Sequence, residues 1–188
     1  MSTEILMFHD HPERSRTNRA LADAAVAIAD VVVTDMGALY ATPDRIDLDA
    51  EVARLLRADR LVLQFPVQWY STPVLLKGWQ DAVLTRMFYI NAADEGDRLK
   101  GLPVLVAATA GNVPEAYGPR GANGFPLAEL LRPLEATARR CGWTWAEPFL
   151  LYRANKLNDA GRAQAAGSYV SRLEDWRGMP IAEQGIAA

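Results

Sequence analysis

Three segments of this 188-residue chain bring together side chains that could do chemistry. In the first, His9-Asp10-His11-Pro12-Glu13-Arg14-Ser15-Arg16-Thr17-Asn18, short hydroxyl and amide groups crowd ahead of an amphipathic stretch. A helix starting there would aim unpaired N–H groups and a partial positive charge outward, which favours a phosphate. Ser15, Thr17 and Asn18 would add short donors, and Arg16 a charge. The bland alternative is that Ser15 only caps the helix and the arginines are solvated. Neither the dinucleotide G-x-G-x-x-G pattern nor the P-loop glycine–lysine pattern occurs here, so any phosphate must be cradled without glycines. His9 and His11 share one side of an extended chain, but no soft ligand stands near them. Two histidines and a single cysteine, Cys141, cannot build a full His/Cys zinc cage, and no metal site is expected.

The second segment, Gln64-Phe65-Pro66-Val67-Gln68-Trp69-Tyr70-Ser71-Thr72-Pro73, sets two aromatic residues where an apolar run ends. Rings at the rim of a sheet can sandwich a flat heterocycle, while backbone groups of residues 67–70 meet its polar edge. Equally, Trp69 and Tyr70 can pack on the helix that follows. The third segment, 109–124, is a long loop bearing glycine and proline.

The elements that must hold these loops follow from hydrophobic periodicity. Glu4–Phe8, Val31–Asp35, Arg60–Phe65, Pro103–Ala108 and Pro148–Tyr152 read as short buried strands. Leu61, Val62 and Leu63 form the continuous apolar run of a parallel strand covered on both faces. Helices are expected over Ser15–Asp30, Glu51–Arg57 and Asp159–Trp176. Another opens with Thr72 as N-cap and Pro73 at its first position and runs to about Arg86. A fourth long helix, Pro126–Cys141, must bend at Pro133. Strands alternating with helices specify an open parallel α/β sheet. In such a sheet ligands bind beyond the carboxyl ends of the strands, where all three segments fall.

Half of the residues are apolar and 23% are charged, the composition of a globular domain. With no internal repeat and no Gly/Ser linker, residues 1–188 read as one domain with a frayed end from about residue 178. A net charge of −3 argues against a nucleic-acid partner. One cysteine, no signal-peptide pattern and no membrane-length apolar run lead us to expect a cytoplasmic location.

At residues 65–83, FPVQWYSTPVLLKGWQDAV resembles the F-P-x-x-W-Y-x-x-P-x-x-L-K-x-W-x-D-x-V stretch of flavodoxin-like NAD(P)H:quinone oxidoreductases. That family includes the ancillary subunit of the glutathione-gated potassium efflux system. Residues 9–18 resemble its H-x-x-P-x-x-S-x-x-N flavin-phosphate loop, and residues 127–152 resemble its L-x-P-L-x-x-T-A-x-x-C-G-x-x-W-x-x-P passage. The likeness spans residue 5 to about 176. It implies a flavodoxin-like three-layer α/β sandwich with a five-stranded parallel sheet in the order 2-1-3-4-5. It implies FMN, with FAD as the alternative flavin, and NAD(P)H as co-substrate. By this resemblance His9, Ser15, Arg16, Thr17 and Asn18 hold the flavin phosphate, and Pro66, Val67, Gln68, Trp69 and Tyr70 line its ring.

The family's T-T-G-G segment, beside the pyrimidine end of the flavin, is here Thr109-Ala110-Gly111-Asn112. Ala110 lacks a hydroxyl and Asn112 brings a Cβ, though asparagine tolerates positive φ. Backbone N–H groups of 109–112 would face the flavin N1/O2 edge. Tyr117 matches the family tyrosine of the nicotinamide and quinone pocket, and Asn123 stands where some relatives carry a histidine. The resemblance implies two-electron hydride transfer to a quinone by a ping-pong mechanism, with Tyr117 and water supplying protons. It also implies a homodimer, and Trp79 with Met87-Phe88-Tyr89 would serve either an interface or the core. Two other readings stay open. One is a regulatory flavoprotein subunit of a potassium efflux transporter, held at the inner face of the membrane by that partner. The other is an FMN-dependent azo- or nitro-reductase or electron carrier.

Overall fold

The computed structural model describes residues 1–9, 11 and 15–180. The first three central strands are β1 (Thr3–Met7), β3 (Arg60–Pro66) and β4 (Pro103–Thr109), and β2 (Val31–Asp35) forms one edge. They run parallel in the order β2-β1-β3-β4. Register is continuous: Ile5 lies opposite Val33 and Val62, and Val62 lies opposite Leu105. The fifth position differs from the single strand expected at Pro148–Tyr152. Two short strands, β5 (Thr144–Trp145) and β6 (Phe149–Leu151), both pair with β4. Ala146 still donates to the Val104 carbonyl, at 2.9 Å. Pro148 has no N–H to continue the ladder, and the strand resumes after it.

Because side chains alternate across a strand, each central strand feeds two cores. Ile5, Val62 and Leu105 pack under α1 (Arg16–Ala25) and α7 (Asp159–Gly178). Leu6, Leu61, Leu63, Val104 and Val106 pack on the opposite face. The helices there are α3 (Leu48–Arg57), α4 (Val74–Trp79) and α6 (Arg132–Arg140). Arg60, at the start of β3, anchors the end of α7. Its guanidinium donates to the Arg177 and Met179 carbonyls at 2.9 and 2.7 Å and lies over the Trp176 ring.

Several boundaries depart from expectation for local reasons. Helix α1 stops at Ala25, not Asp30. The chain tightens through Ala27 and Ile28, and Asp30 takes φ +61° to turn into β2. An extra turn, α2 (Met36–Leu39), is capped by the Asp35 carboxylate accepting from the Ala38 N–H at 3.0 Å. Thr72 does not cap α4. Pro73 is the cap residue, and a residue before proline is pushed toward extended backbone. Beyond α4 the chain widens into π-helix through Gln80–Leu84 and again through Arg86–Ile90. The bend expected at Pro133 is a break at Leu131 between α5 (Leu127–Leu130) and α6. The fray expected at the C-terminus lies outside the described residues beyond Pro180, as do Pro12 and three neighbours in the first loop. Among the described residues no helix is long and apolar enough to cross a membrane.

Trp79 and Met87, expected at an interface or in the core, are fully buried core residues. Tyr89 and Ile90 are the exposed members of that segment. The core also contains a charge that periodicity did not place. Glu51 is 0% exposed; its carboxylate accepts from Tyr40 Oη at 2.9 Å and Trp79 Nε1 at 3.0 Å, and pairs with Arg54 at 3.2 Å. Burial together with this carboxylate pushes the Tyr40 phenol up to about 12, so its proton stays on as the donor. Replacing Glu51 with alanine strands the Tyr40 and Trp79 donors, while Arg54 keeps Glu4 and Thr34. We expect Glu51→Ala to cost about 3–5 kcal/mol in urea unfolding. A loss under about 1 kcal/mol would show that the cluster relaxes onto water.

Candidate functional site

Crossovers return to the amino edge of the sheet through tight contacts such as Thr3 N–H to the Asp30 carbonyl, at 2.8 Å. The loops with chemistry gather at the other edge. A cleft of about 400 Å³ opens there, bordered by His9, Ser15, Arg16, Thr109 and Gly111. Its far wall is a fourth segment, 154–158, with Arg162 behind it.

The cleft floor is the N-terminus of α1. Its first N–H groups have no helical acceptor, and the ten-residue helix aims its positive end at the opening. Ser15 is buried at that end, and its Oγ has no hydrogen-bond partner among the described residues. Its side chain does not cap the helix, contrary to the bland reading of this loop. Thr17 and Asn18 are also buried but turn elsewhere. Thr17 Oγ1 donates to the Ala154 carbonyl at 2.5 Å, and Asn18 Nδ2 donates to Thr109 Oγ1 at 2.9 Å. Arg16 is exposed at the rim, opposite Lys156. Arg162 is engaged by the Leu157 carbonyl and Asp159. His9 Nδ1 accepts from the His11 N–H at 2.9 Å.

The second loop is stitched to the third by Val67 N–H donating to the Thr109 carbonyl at 2.8 Å. It then makes a two-residue hairpin: Gln68 and Ser71 exchange both backbone hydrogen bonds at 2.9 Å. Trp69 and Tyr70 at its tip have φ of +44° and +65°. Two successive left-handed residues define the mirror-image turn that Asn-Gly normally fills. Placing Trp and Tyr there is strained, at about 1–2 kcal/mol per residue. At Trp69 the strain is not repaid by packing, since its side chain is 93% exposed and does not lie on the following helix. The turn instead holds an open aromatic face; of this loop Pro66 and Val67 line the cleft, and Gln68, Trp69 and Tyr70 do not.

The third loop needs no left-handed residue at 109–112. Asn112 therefore satisfies the backbone without help from its tolerance of positive φ. Ala110 N–H is engaged by the Leu151 carbonyl at 2.7 Å, so it is not the free donor expected of it. Among the described residues the Gly111 and Asn112 N–H groups have no backbone partner. Gly111 also has its Cα close to Asn155, whose side chain a Cβ would meet at 3.3 Å. Further along, the loop wraps the Ala116 carbonyl, which accepts from Asn123 N–H at 2.9 Å. Gly121 permits that approach, since a Cβ would lie 2.3 Å from the same oxygen.

Tyr117 and Asn123 reach the aromatic turn. Tyr70 Oη donates to Asn123 Oδ1 at 3.3 Å, and the Tyr117 ring packs 5.5 Å from that of Tyr152. Burial, then the neighbouring Tyr70 and Tyr152, push the Tyr117 phenol above its ordinary value. It stays a proton donor through neutral and mildly alkaline pH. Tyr152 and segment 154–158 were missing from the sequence expectation. Arg153 and Ala154 N–H groups donate to the Asn112 and Ala110 carbonyls at 2.9 and 3.0 Å, so this segment clamps the third loop. It follows the last strand at the same carboxyl edge, and that position was the available signal.

The sequence profile of the flavodoxin-like fold matches residues 1–173. The chain belongs to this family. Among flavodoxin-like relatives, it is 37% identical over 173 residues to the uncharacterized NAD(P)H oxidoreductase YdeQ of Bacillus subtilis (strain 168), covering 92% of this chain and 86% of the relative. It is 36% identical over 174 residues to the glutathione-regulated potassium-efflux system ancillary protein KefF of Klebsiella pneumoniae (strain 342), covering 92% and 95%. A solved flavodoxin-like structure, general stress protein 14 of Treponema denticola in complex with FMN, aligns at TM-score 0.82 and 32% identity, covering 93% of this chain and 99% of that one.

The strained turn generates a stability prediction. Replacing Trp69-Tyr70 with Asn-Gly should raise unfolding stability of the ligand-free protein by about 1–2 kcal/mol, because Trp69 buries almost nothing and Tyr70 gives up only one exposed hydrogen bond, to Asn123. Urea midpoints measure this. A destabilised double variant would mean that the rings contribute contacts outweighing their backbone strain.

Proposed function

We propose that the chain is a single-domain, FMN-dependent NAD(P)H:quinone oxidoreductase. One observation carries the reading. A helix N-terminus with a buried hydroxyl that has no partner among the described residues lines one cleft with Gly111, and the Trp69–Tyr70 turn follows directly from Val67 on its border. These residues fit FMN. Ser15 Oγ and the first N–H groups of α1 suit its phosphate, with Arg16 and Lys156 supplying charge at the rim. Trp69 and Tyr70 suit a ring wall, and the Gly111 and Asn112 N–H groups suit an electron-rich edge. The similarity to the YdeQ oxidoreductase and to the FMN complex supports both the cofactor and the use of NAD(P)H.

When bound, FMN would supply hydride transfer, accepting from NAD(P)H and delivering to a flat acceptor such as a quinone. The protein supplies the rest. Nicotinamide and quinone would bind in turn against the face that Trp69, Tyr70 and Tyr117 offer, which is the basis of ping-pong kinetics. Tyr117, kept protonated by its surroundings, donates to the oxygen of the leaving quinol. Asn123 holds Tyr70 and offers no titrating group.

The family resemblance also points to a homodimer. An apolar groove of about 430 Å³ beside Phe88, Tyr89 and Leu134 is the surface it would use. Sedimentation at micromolar concentration should give twice the 20.7 kDa chain mass. A second reading, a cytoplasmic regulatory subunit on a potassium efflux transporter, is favoured by the KefF similarity. It is compatible with the first.

Two measurements test the chemistry. Ser15→Ala should weaken FMN by about 1.5–3 kcal/mol, the worth of a hydrogen bond to a charged group, and leave riboflavin unaffected. Tyr117→Phe should slow flavin reoxidation by quinone roughly ten- to a hundredfold, about 1.4–2.7 kcal/mol, with reduction by NAD(P)H little changed. Stopped-flow absorbance separates the two halves. Equal slowing of both would make Tyr117 a packing residue, and failure to bind FMN would sink the assignment itself.

A further inference from the structure

Strand β3 is buried on both faces and apolar at Leu61, Val62, Leu63 and Phe65, yet Gln64 sits among them fully buried. Alternation places Gln64 with Val62 on the face beneath α1. Its Nε2 donates to the Asn18 carbonyl at 2.8 Å, and Asn18 Nδ2 in turn donates to Thr109 Oγ1 at 2.9 Å. Three elements are thereby tied: β3, the first turn of α1, and the end of β4. An α-helical carbonyl at this position already has an acceptor role toward the N–H four residues on. Gln64 therefore adds a second donor to a group that helix geometry alone would satisfy. An apolar side chain of the same length would fill the space equally well and bury no carboxamide. Even in its present place the carboxamide is incompletely satisfied, since Gln64 Oε1 and Asn18 Oδ1 are buried without partners among the described residues.

We propose that Gln64 is a positioning residue for the phosphate end of the cleft. By grasping the Asn18 carbonyl it sets the depth and direction of the first turn of α1. That setting fixes where Ser15 and the free N–H groups point. The amide is retained because an anion held by several short donors tolerates little displacement, whereas a ring stacked on aromatic faces tolerates more. Asn18 acts in the same relay, and its side chain reaches inward to Thr109. This inference rests on the reading that the cleft takes a flavin phosphate, and it names a residue that touches no part of the flavin.

The test uses flavin-free full-length protein titrated with FMN and with riboflavin, followed by quenching of flavin fluorescence. Riboflavin lacks the phosphate and reports the ring subsite alone. Gln64→Met, close to isosteric, should weaken FMN about tenfold, a loss of one well-placed contact, and leave riboflavin within about twofold. Gln64→Glu keeps the length, loses the donor and adds negative charge under the helix, so FMN should weaken further while riboflavin again holds. A merely structural role would lower both ligands together. Equal losses of FMN and riboflavin in Gln64→Met, or no loss of either, would overturn the proposal. If Gln64→Met does not fold, Gln64→Leu is read by the same criterion. Failure of the unsubstituted protein to bind FMN overturns the flavin reading first and this inference with it. FMN binding that is indifferent to Gln64 overturns this inference alone.

Discussion

Parallel strands β1, β3 and β4, covered by helices on both faces, constrain everything else in the molecule. Their ladders saturate the backbone, and their side chains are shared between two apolar cores. Irregular backbone can then be accommodated only where strands end. At the amino edge the crossovers close with short hydrogen bonds such as Thr3 N–H to the Asp30 carbonyl. At the carboxyl edge the connections are longer, and four of them meet around one opening. The site is thus a consequence of sheet burial, and its location is decided before any of its residues is considered.

Within that opening the polar groups divide by what they face. Thr17, Asn18 and Thr109 are turned inward, joining α1 to β4 and to the segment after β6. Ser15 Oγ and the Gly111 and Asn112 N–H groups remain without such partners among the described residues. Inward bonds hold the outward donors at fixed spacing, which is how a cleft made largely of loops can be pre-organised. The hairpin tip adds the opposite feature. Trp69 and Tyr70 occupy backbone conformations better suited to Asn and Gly, and Trp69 buries almost nothing. Strain without packing gain is what a binding face looks like when its ligand supplies the missing contact.

The third loop of this chain carries Ala110 and Asn112 for a related reason. Its backbone here is shaped by Arg153 and Ala154 donating to the Asn112 and Ala110 carbonyls, not by glycine conformations at 109–112. The exposed side chain of Asn112 can therefore vary while the N–H groups of 111 and 112 keep their direction, whereas the buried Ala110 has room only for a small side chain. Glu51 plays a comparable part on the other face, where one carboxylate gathers Tyr40, Arg54 and Trp79 and so registers α3 against α4.

What the sequence determined by itself was everything set by local periodicity and short-range chemistry. Val31–Asp35 was legible because three consecutive valines between polar turns read as a short strand, and the strand order followed from the family motifs. The loops at residues 9–18, 66–72 and 109–124 were legible as candidates because polar and aromatic residues are out of place beside buried strands. Tertiary structure alone decided the direction of each polar side chain. Nothing local distinguishes Ser15, which faces the cleft, from Asn18, which faces Thr109 from 91 residues away. Nothing local marks Glu51 as buried, since its partners Tyr40 and Trp79 lie 11 and 28 residues distant. The two-part fifth strand, the left-handed Trp69–Tyr70 tip and the clamp from residues 153–158 belong to the same class. Each is fixed by hydrogen bonds between segments that only the completed sheet brings together, and such long-range contacts leave no period in the chain to read.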